Sequence, residues 1–222
     1  MCLSIAANRS LLGAAFVTLL SVAATAAAEA PAPGQCELVA FVDETDPAGL
    51  NVRAQPSVNA RIVGKLPPVW VDQADGARVR VRTEVIGASK GWFKIRNSAD
   101  EEQLTERPAR PTYAGEGWVS GRKLIVKAQT GAGRIRPDTS APIGLQLKDD
   151  RLFDSRDFAR AGTLVDCEGG WVQMEFVDAK IPAEIRSSLD IAPEARTGLP
   201  RGRFRLWLDR ICGSQETSCD GF

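Results

Sequence analysis

The chain has 222 residues, with 28 Lys and Arg against 28 Asp and Glu, and no histidine. Balanced charge with no basic stripe argues against a nucleic-acid partner. The missing imidazole removes Ser-His-Asp and Cys-His nucleophilic arrangements, and the length suits one ordinary domain or two small ones.

Residues 1–28 have the layout of an export signal. Arg9 supplies the positive n-region, an apolar run extends from Leu11 to Val22, and Ala26, Ala27 and Ala28 offer a small-residue cleavage site before Glu29. The run is shorter than the roughly 20 residues a membrane span requires, so cleavage is expected rather than anchoring. Cys2 precedes the apolar run and is therefore not placed for lipid attachment. No later segment is apolar and long enough to cross a membrane, so no span is expected after cleavage. Residues 29–35 form a short Pro/Ala linker.

From Glu37 the pattern is strand-like. Leu38, Val39, Phe41 and Val42 lead to a turn at Asp46-Pro47. Leu50 and Val52 alternate with polar residues, a Pro56-Ser57 turn follows, and Ile62, Val63 and Leu66 make the next strand. Residues 69–71 form a short extension. Val79, Val81 and Val85 alternate with Arg and Thr, as a half-buried strand requires. Trp92, Lys94 and Arg96 oppose Phe93 and Ile95. Residues 97–111 are rich in charge and read as an extended loop. Residues 117–126 close the unit, with a tight turn near Ser120-Gly121.

This order carries a resemblance. The run Gly49-Leu-Asn-Val-Arg-Ala-Gln-Pro-Ser, followed by an apolar strand and by the pairs Gly91-Trp92 and Gly117-Trp118, resembles the bacterial SH3-like (SH3b) domain. The resemblance implies a small β-barrel that binds and does not catalyse. After the linker 128–133 the pattern restarts more weakly. Arg134-Ile-Arg-Pro echoes Asn51-Val-Arg-Ala at an offset of 83, Gly170-Trp171 echoes Gly91-Trp92 at 79, and Trp207 echoes Trp118 at 89. Internal duplication explains the shared order. On this alignment Arg53 matches Arg136, and the second half loses much of the Pro turn.

The expected fold is all-β: two tandem small SH3-like, partly open barrels with enlarged hairpin insertions, over 36–127 and 134–222. The insertions are 97–116 and 178–203. The second holds Ile181, Ile185, Leu189 and Ile191 in a partly helical stripe after Pro182. Residues 145–160 fit neither period and read as a loop with strand ends.

Loss of Cys2 with the signal leaves four cysteines, an even count suited to disulfides in an oxidising compartment, periplasmic or secreted. Cys212 with Cys219 is favoured across a turn-rich loop, leaving Cys36 with Cys167. The alternative pairs Cys167 with Cys212 or Cys219. Metal binding needs close Cys pairs or histidine, and the sequence has neither; no cofactor is expected. Asp149-Asp150 and Glu101-Glu102 sit in polar, turn-like sequence and read as solvated surface. The Gly-rich pieces lack the helix and Lys of a phosphate loop. Two arginine runs (78, 80, 82 and 201, 203, 205) have strand spacing and read as solvated faces.

Trp92, Trp118, Trp171 and Trp207 recur at strand motifs and read as core. Trp70 and Tyr113 have no counterpart in the second half and are the candidate ligand contacts. The resemblance implies a role in the cell envelope, with peptidoglycan or another wall component as partner. The alternative partner is an envelope protein, docked through the hairpins or sheet edges.

Overall fold

The computed structural model describes residues 34–73, 76–101 and 107–213; the expected signal, Glu102 and Cys219 lie outside them. Among these residues the chain is predominantly β, in two open antiparallel sheets with two short helices.

The first sheet holds β1 (Gln35–Val42), β2 (Leu50–Arg53), β3 (Ile62–Leu66), β6 (Val81–Ser89), β7 (Trp92–Asp100), β8 (Gly117–Ser120) and β9 (Leu124–Ile125). Their order is β3-β2-β8-β7-β6-β1-β9. Strand β8 lies against β7, yet β9 pairs with β1 three places away. The 3₁₀ turn Gly121–Lys123 makes this switch, capped by the Ser120 hydroxyl accepting from the Arg122 amide. The sheet thus curls round a core without closing, and β3 and β9 are its edges. A separate two-residue hairpin, β4 (Trp70–Val71) with β5 (Arg78–Val79), flanks it.

The second sheet contains β10 (Ala132–Arg134), β11 (Ile143–Gln146), β12 (Gly162–Glu168), β13 (Trp171–Val177) and β14 (Arg203–Leu208), in the order β11-β10-β14-β13-β12. Alternation works as the sequence predicts. In β6 and β13 every second residue is buried, since successive side chains on a strand face opposite sides. The second core is built on phenylalanines: Phe153, Phe158, Phe176 and Phe204 lie within ring distances of 5.0 to 6.2 Å. One contiguous apolar cluster runs from the first core into the second.

Backbone registers fix the internal correspondence, and they correct the alignment. Arg53 pairs with Trp118, and Arg134 pairs with Trp207. Each arginine donates from Nη1 to a carbonyl seven residues on, Arg53 to Ala60 at 2.8 Å and Arg134 to Ala141 at 2.7 Å. Ala54 N–H bonds to the Arg61 carbonyl, and Ile135 N–H bonds to that of Pro142. Ser57 Oγ and Asp138 Oδ1 each accept from the amide two residues on. Arg53 therefore matches Arg134 and not Arg136, and Pro56 matches Pro137. The second half keeps its Pro turn. Sequence comparison slipped because Arg134 and Arg136 are two apart, the period of a strand.

Other expectations need correction. Residues 145–160 are not simply loop: β11 ends at Gln146, and α1 (Arg156–Ala161) follows, with Ser155 Oγ accepting from the Phe158 amide. That cap was a legible signal. The stripe in the second insertion packs on the core, with Ile181 buried and Ile185, Leu189 and Ile191 partly buried, but it is barely helical. Only α2 (Ala183–Arg186) winds, and Ile191 instead bridges Leu145 of β11. Glu101 is buried rather than solvated, as is Arg80, which meets Asp43 at 3.0 Å. Strand β5 ends at Val79 and β6 starts at Val81, so Arg78, Arg80 and Arg82 do not share one strand face. Of the recurring tryptophans, Trp207 is buried, whereas Trp92, Trp118 and Trp171 remain half-exposed.

The two halves are joined at three levels. Cys36 and Cys167 form a disulfide, bridging β1 and β12. Beside it, the Glu37 amide donates to the Gly169 carbonyl and the Gly169 amide to that of Gln35, both at 2.8 Å. Finally, the 3₁₀ turn packs so closely on β12 that a Cβ at Gly121 would collide with the Leu164 carbonyl and the Phe93 ring. The disulfide is compatible with an oxidising, extracytoplasmic location. Cys212 is buried and disulfide-bonded, whereas its expected partner Cys219 is outside the described residues. No helix among the described residues is long and apolar enough to cross a membrane.

Candidate functional site

Two concavities bear on the candidate contacts. The smaller, about 230 Å³, lies on the first unit and is lined by Trp70, Val79, Asp100, Arg107, Pro108 and Arg110. Its walls combine apolar residues with charged groups that are engaged within the wall. Arg110 grips Asp100 through Nε at 2.8 Å and Nη2 at 2.6 Å, and donates onward to the Pro68 and Val79 carbonyls. The Asp100 side chain is only 4 % exposed. Burial pushes its carboxyl up, but the side-chain and backbone hydrogen bonds from Arg110 outweigh that and hold it below the ordinary value of 3.8. This pair pins the first insertion onto the β4–β5 hairpin. Trp70 opens into the pocket, but the Arg107 guanidinium lies over its ring, 4.1 Å from the centroid. That face is already used by a cation–π contact.

Tyr113 is placed differently. Its ring covers Gly64 of β3 and packs against Gly115, where a Cβ would collide with it. Its hydroxyl donates to the Glu116 carbonyl at 3.2 Å. Tyr113 thus lies over a strand of the first sheet, away from the residues that line Trp70's pocket, and the two are not brought together.

The larger concavity, about 460 Å³, lies between the units. The first unit contributes Val58, Lys90, Trp92 and Arg122. The second contributes Leu164 and Val165 of β12, Glu175 of β13 and Arg203 of β14. Its volume falls in the usual range for ligand sites, roughly 300–1,000 Å³, whereas the Trp70 pocket does not reach it. Each first-unit residue is held by local structure. Lys90 and Gly91 form the two-residue loop of the β6–β7 hairpin, shown by the pairing of Ser89 with Trp92. Val58 sits in the Pro56 turn and is 67 % exposed, the most exposed large apolar side chain among the described residues. Arg122 is in the 3₁₀ turn.

The cleft is cationic. Three cations face one carboxylate, Glu175, and that carboxylate is already shared by Arg203 and by Arg205 at 2.7 Å. Burial acts to raise the Glu175 carboxyl, but the two arginines prevail and hold it low. Lys90 and Arg122 are exposed and, among the described residues, form no ion pair. In the sequence Trp92 reads only as core, and Lys90, Val58 and Arg122 do not stand out. The one legible hint was Lys at the first position of a two-residue hairpin loop, where the chain needs positive φ.

Among the described residues no group of three or more Cys, Asp or Glu side chains is placed to hold a metal ion. No family model, no curated protein and no solved structure matches this chain.

Proposed function

We propose that this chain is a non-catalytic binding module of the bacterial cell envelope, exported by its N-terminal segment and built from two tandem SH3b-like units. Its ligand on this reading is peptidoglycan or another wall component. The observation that carries the proposal is the cleft between the units, which combines a half-exposed tryptophan with exposed cations. Sugar rings stack on aromatic faces, and wall peptides carry carboxylates that suit Lys and Arg. The disulfide fits the same compartment.

A pull-down with purified sacculi tests this. The mature protein should sediment with the sacculi and be released by salt, because exposed charge pairs are screened. Recovery in the supernatant at low salt would remove the wall-binding reading. One observation favours a second reading, docking of an envelope protein at the sheet edges. Ile62 and Ile143 occupy matching positions on the edge strands β3 and β11, and both are exposed, at 49 % and 45 %. Edge-strand addition would use those positions. In that case Ile62→Lys would abolish capture of the partner while sacculus binding stayed absent.

A further inference from the structure

The β6–β7 loop contains a residue that costs the fold something. Lys90 has φ of 50°, in the left-handed region. Of the five non-glycine residues with positive φ among those described, three are Asn or Asp, which tolerate it; Lys90 and Arg210 are the others. A left-handed conformation is unfavourable for an ordinary L-residue, because it brings Cβ too close to the following carbonyl oxygen. The second unit shows the unstrained solution. There the matching loop is Gly169-Gly170, again two residues, between Glu168 and Trp171. Gly169 has φ of 53°, almost the value of Lys90. The backbone therefore requires no lysine at this position. What Lys90 adds is an exposed cation at the mouth of the cleft, next to Trp92.

The other members of the cleft diverge in the same direction. Pairing of the strands matches Trp118 to Trp207, so Arg122 falls opposite Ile211, and the Pro turns match Val58 to Thr139. The first unit alone presents Lys90, Arg122 and Val58 around its hairpin tryptophan. The second unit instead spends that loop on the joint between the units, where Gly169 exchanges hydrogen bonds with β1.

We propose that the cleft between the units binds an anionic saccharide, with a sugar face against Trp92 and Val58 and the acid group on Lys90 and Arg122. Val58 and the Trp92 ring supply apolar surface on one wall. Lys90 and Arg122, which form no ion pair among the described residues, supply the charge selectivity. Glu175 does not cancel them, since Arg203 and Arg205 already hold it. The inference deepens the wall-binding reading by naming a site and a ligand chemistry, and an acid of this kind is either a carboxylate on a wall peptide or a phosphate on a sugar.

The test is calorimetric titration of the mature, disulfide-intact protein with three soluble probes. These are a disaccharide-tripeptide from digested peptidoglycan, a disaccharide phosphate, and the neutral N-acetylglucosamine disaccharide. At least one acidic probe should bind, and bind at least tenfold more tightly than the neutral one. Tight binding of the peptide probe alone identifies a carboxylate ligand, and of the phosphate alone a phosphate ligand. Lys90→Gly, which copies the second unit's loop, and Arg122→Gln should each weaken binding about tenfold, the scale of one charge-assisted hydrogen bond. Both should keep the parent's unfolding midpoint to within a small margin, which separates loss of ligand from loss of fold. Equal affinity for neutral and acidic probes, or unchanged affinity in both variants, would overturn the inference. If the parent sediments with sacculi and Lys90→Gly/Arg122→Gln sediments equally, the cleft assignment falls and wall binding stands. If the parent ignores sacculi yet binds the phosphate probe through Lys90, wall binding falls and the cleft assignment stands.

Discussion

The hairpin loop before Trp92 in the first unit and before Trp171 in the second has been put to two uses. In the first unit Lys90-Gly91 projects to the cleft. In the second, Gly169-Gly170 docks on β1 beside the Cys36–Cys167 disulfide. The scaffolds beneath them agree closely. Arg53 and Arg134 make the same reach across a Pro turn to the carbonyls of Ala60 and Ala141. Each bulge falls at the same place, between Val52 and Arg53 and between Gly133 and Arg134. What the units share is therefore the internal brace of the sheet, and one place where they part is the chemistry of this rim.

Breaking the joint should have the largest effect. Cys36 and Cys167 are 131 positions apart, and by chain entropy such a loop contributes about 5 kcal/mol. The double variant Cys36→Ala/Cys167→Ala should lose most of that in urea unfolding. A split into two transitions would show that the units are independent once unstapled; one transition would show that the shared core suffices to couple them.

Next comes the buried ion pair that pins the first insertion, its carboxylate less exposed than that of the second unit's Arg196–Asp178 pair. Arg110→Ala leaves Asp100 buried without its guanidinium and should destabilise by about 3 kcal/mol. The sign of its pH dependence follows from the lowered Asp100 carboxyl. Its stabilisation is complete above the ordinary 3.8 and is lost as pH falls through the lower folded value, so the parent should lose stability on acidification below about pH 4. In Arg110→Ala that component should vanish, and acid and neutral unfolding midpoints should move closer together.

A smaller effect tests the shared brace. Arg53→Ala and Arg134→Ala should each cost about 2 kcal/mol, the value of a hydrogen bond from a charged donor. Arg136→Ala should change stability by less than about 0.5 kcal/mol, as surface substitutions do. A large loss at Arg136 with none at Arg134 would refute the correspondence drawn from the strand registers. Smallest of all, Lys90→Gly should move stability by less than about 1 kcal/mol, since relief of the positive φ offsets the added chain entropy of glycine.

Particular residues show how far the sequence could be read. Alternating burial in β6 and in the first half of β7 followed directly from period-2 apolar spacing, and so did the all-β class. The tight turn at Ser120-Gly121 was also visible. The helix at Arg156–Ala161 was missed although Ser155 and Asp157 mark its start, because Phe153 and Phe158 obscured any stripe. Arg80 reads as solvated for a different reason: a charge is excluded from the interior only when unpaired, and pairing joins residues far apart in the chain, such as Arg80 and Asp43.

The amino-acid order alone determined the strand pattern, the even count of cysteines after residue 28 and the recurrence of related motifs in two halves. These depend on local periodicity and composition, which a linear string records. Tertiary structure decided the register of the duplication, the Cys36–Cys167 joint and the cleft. Each of those depends on which distant strands meet: only when β12 and β13 of the second unit lie beside the β6–β7 loop of the first do Trp92, Lys90 and Arg122 acquire an opposite wall.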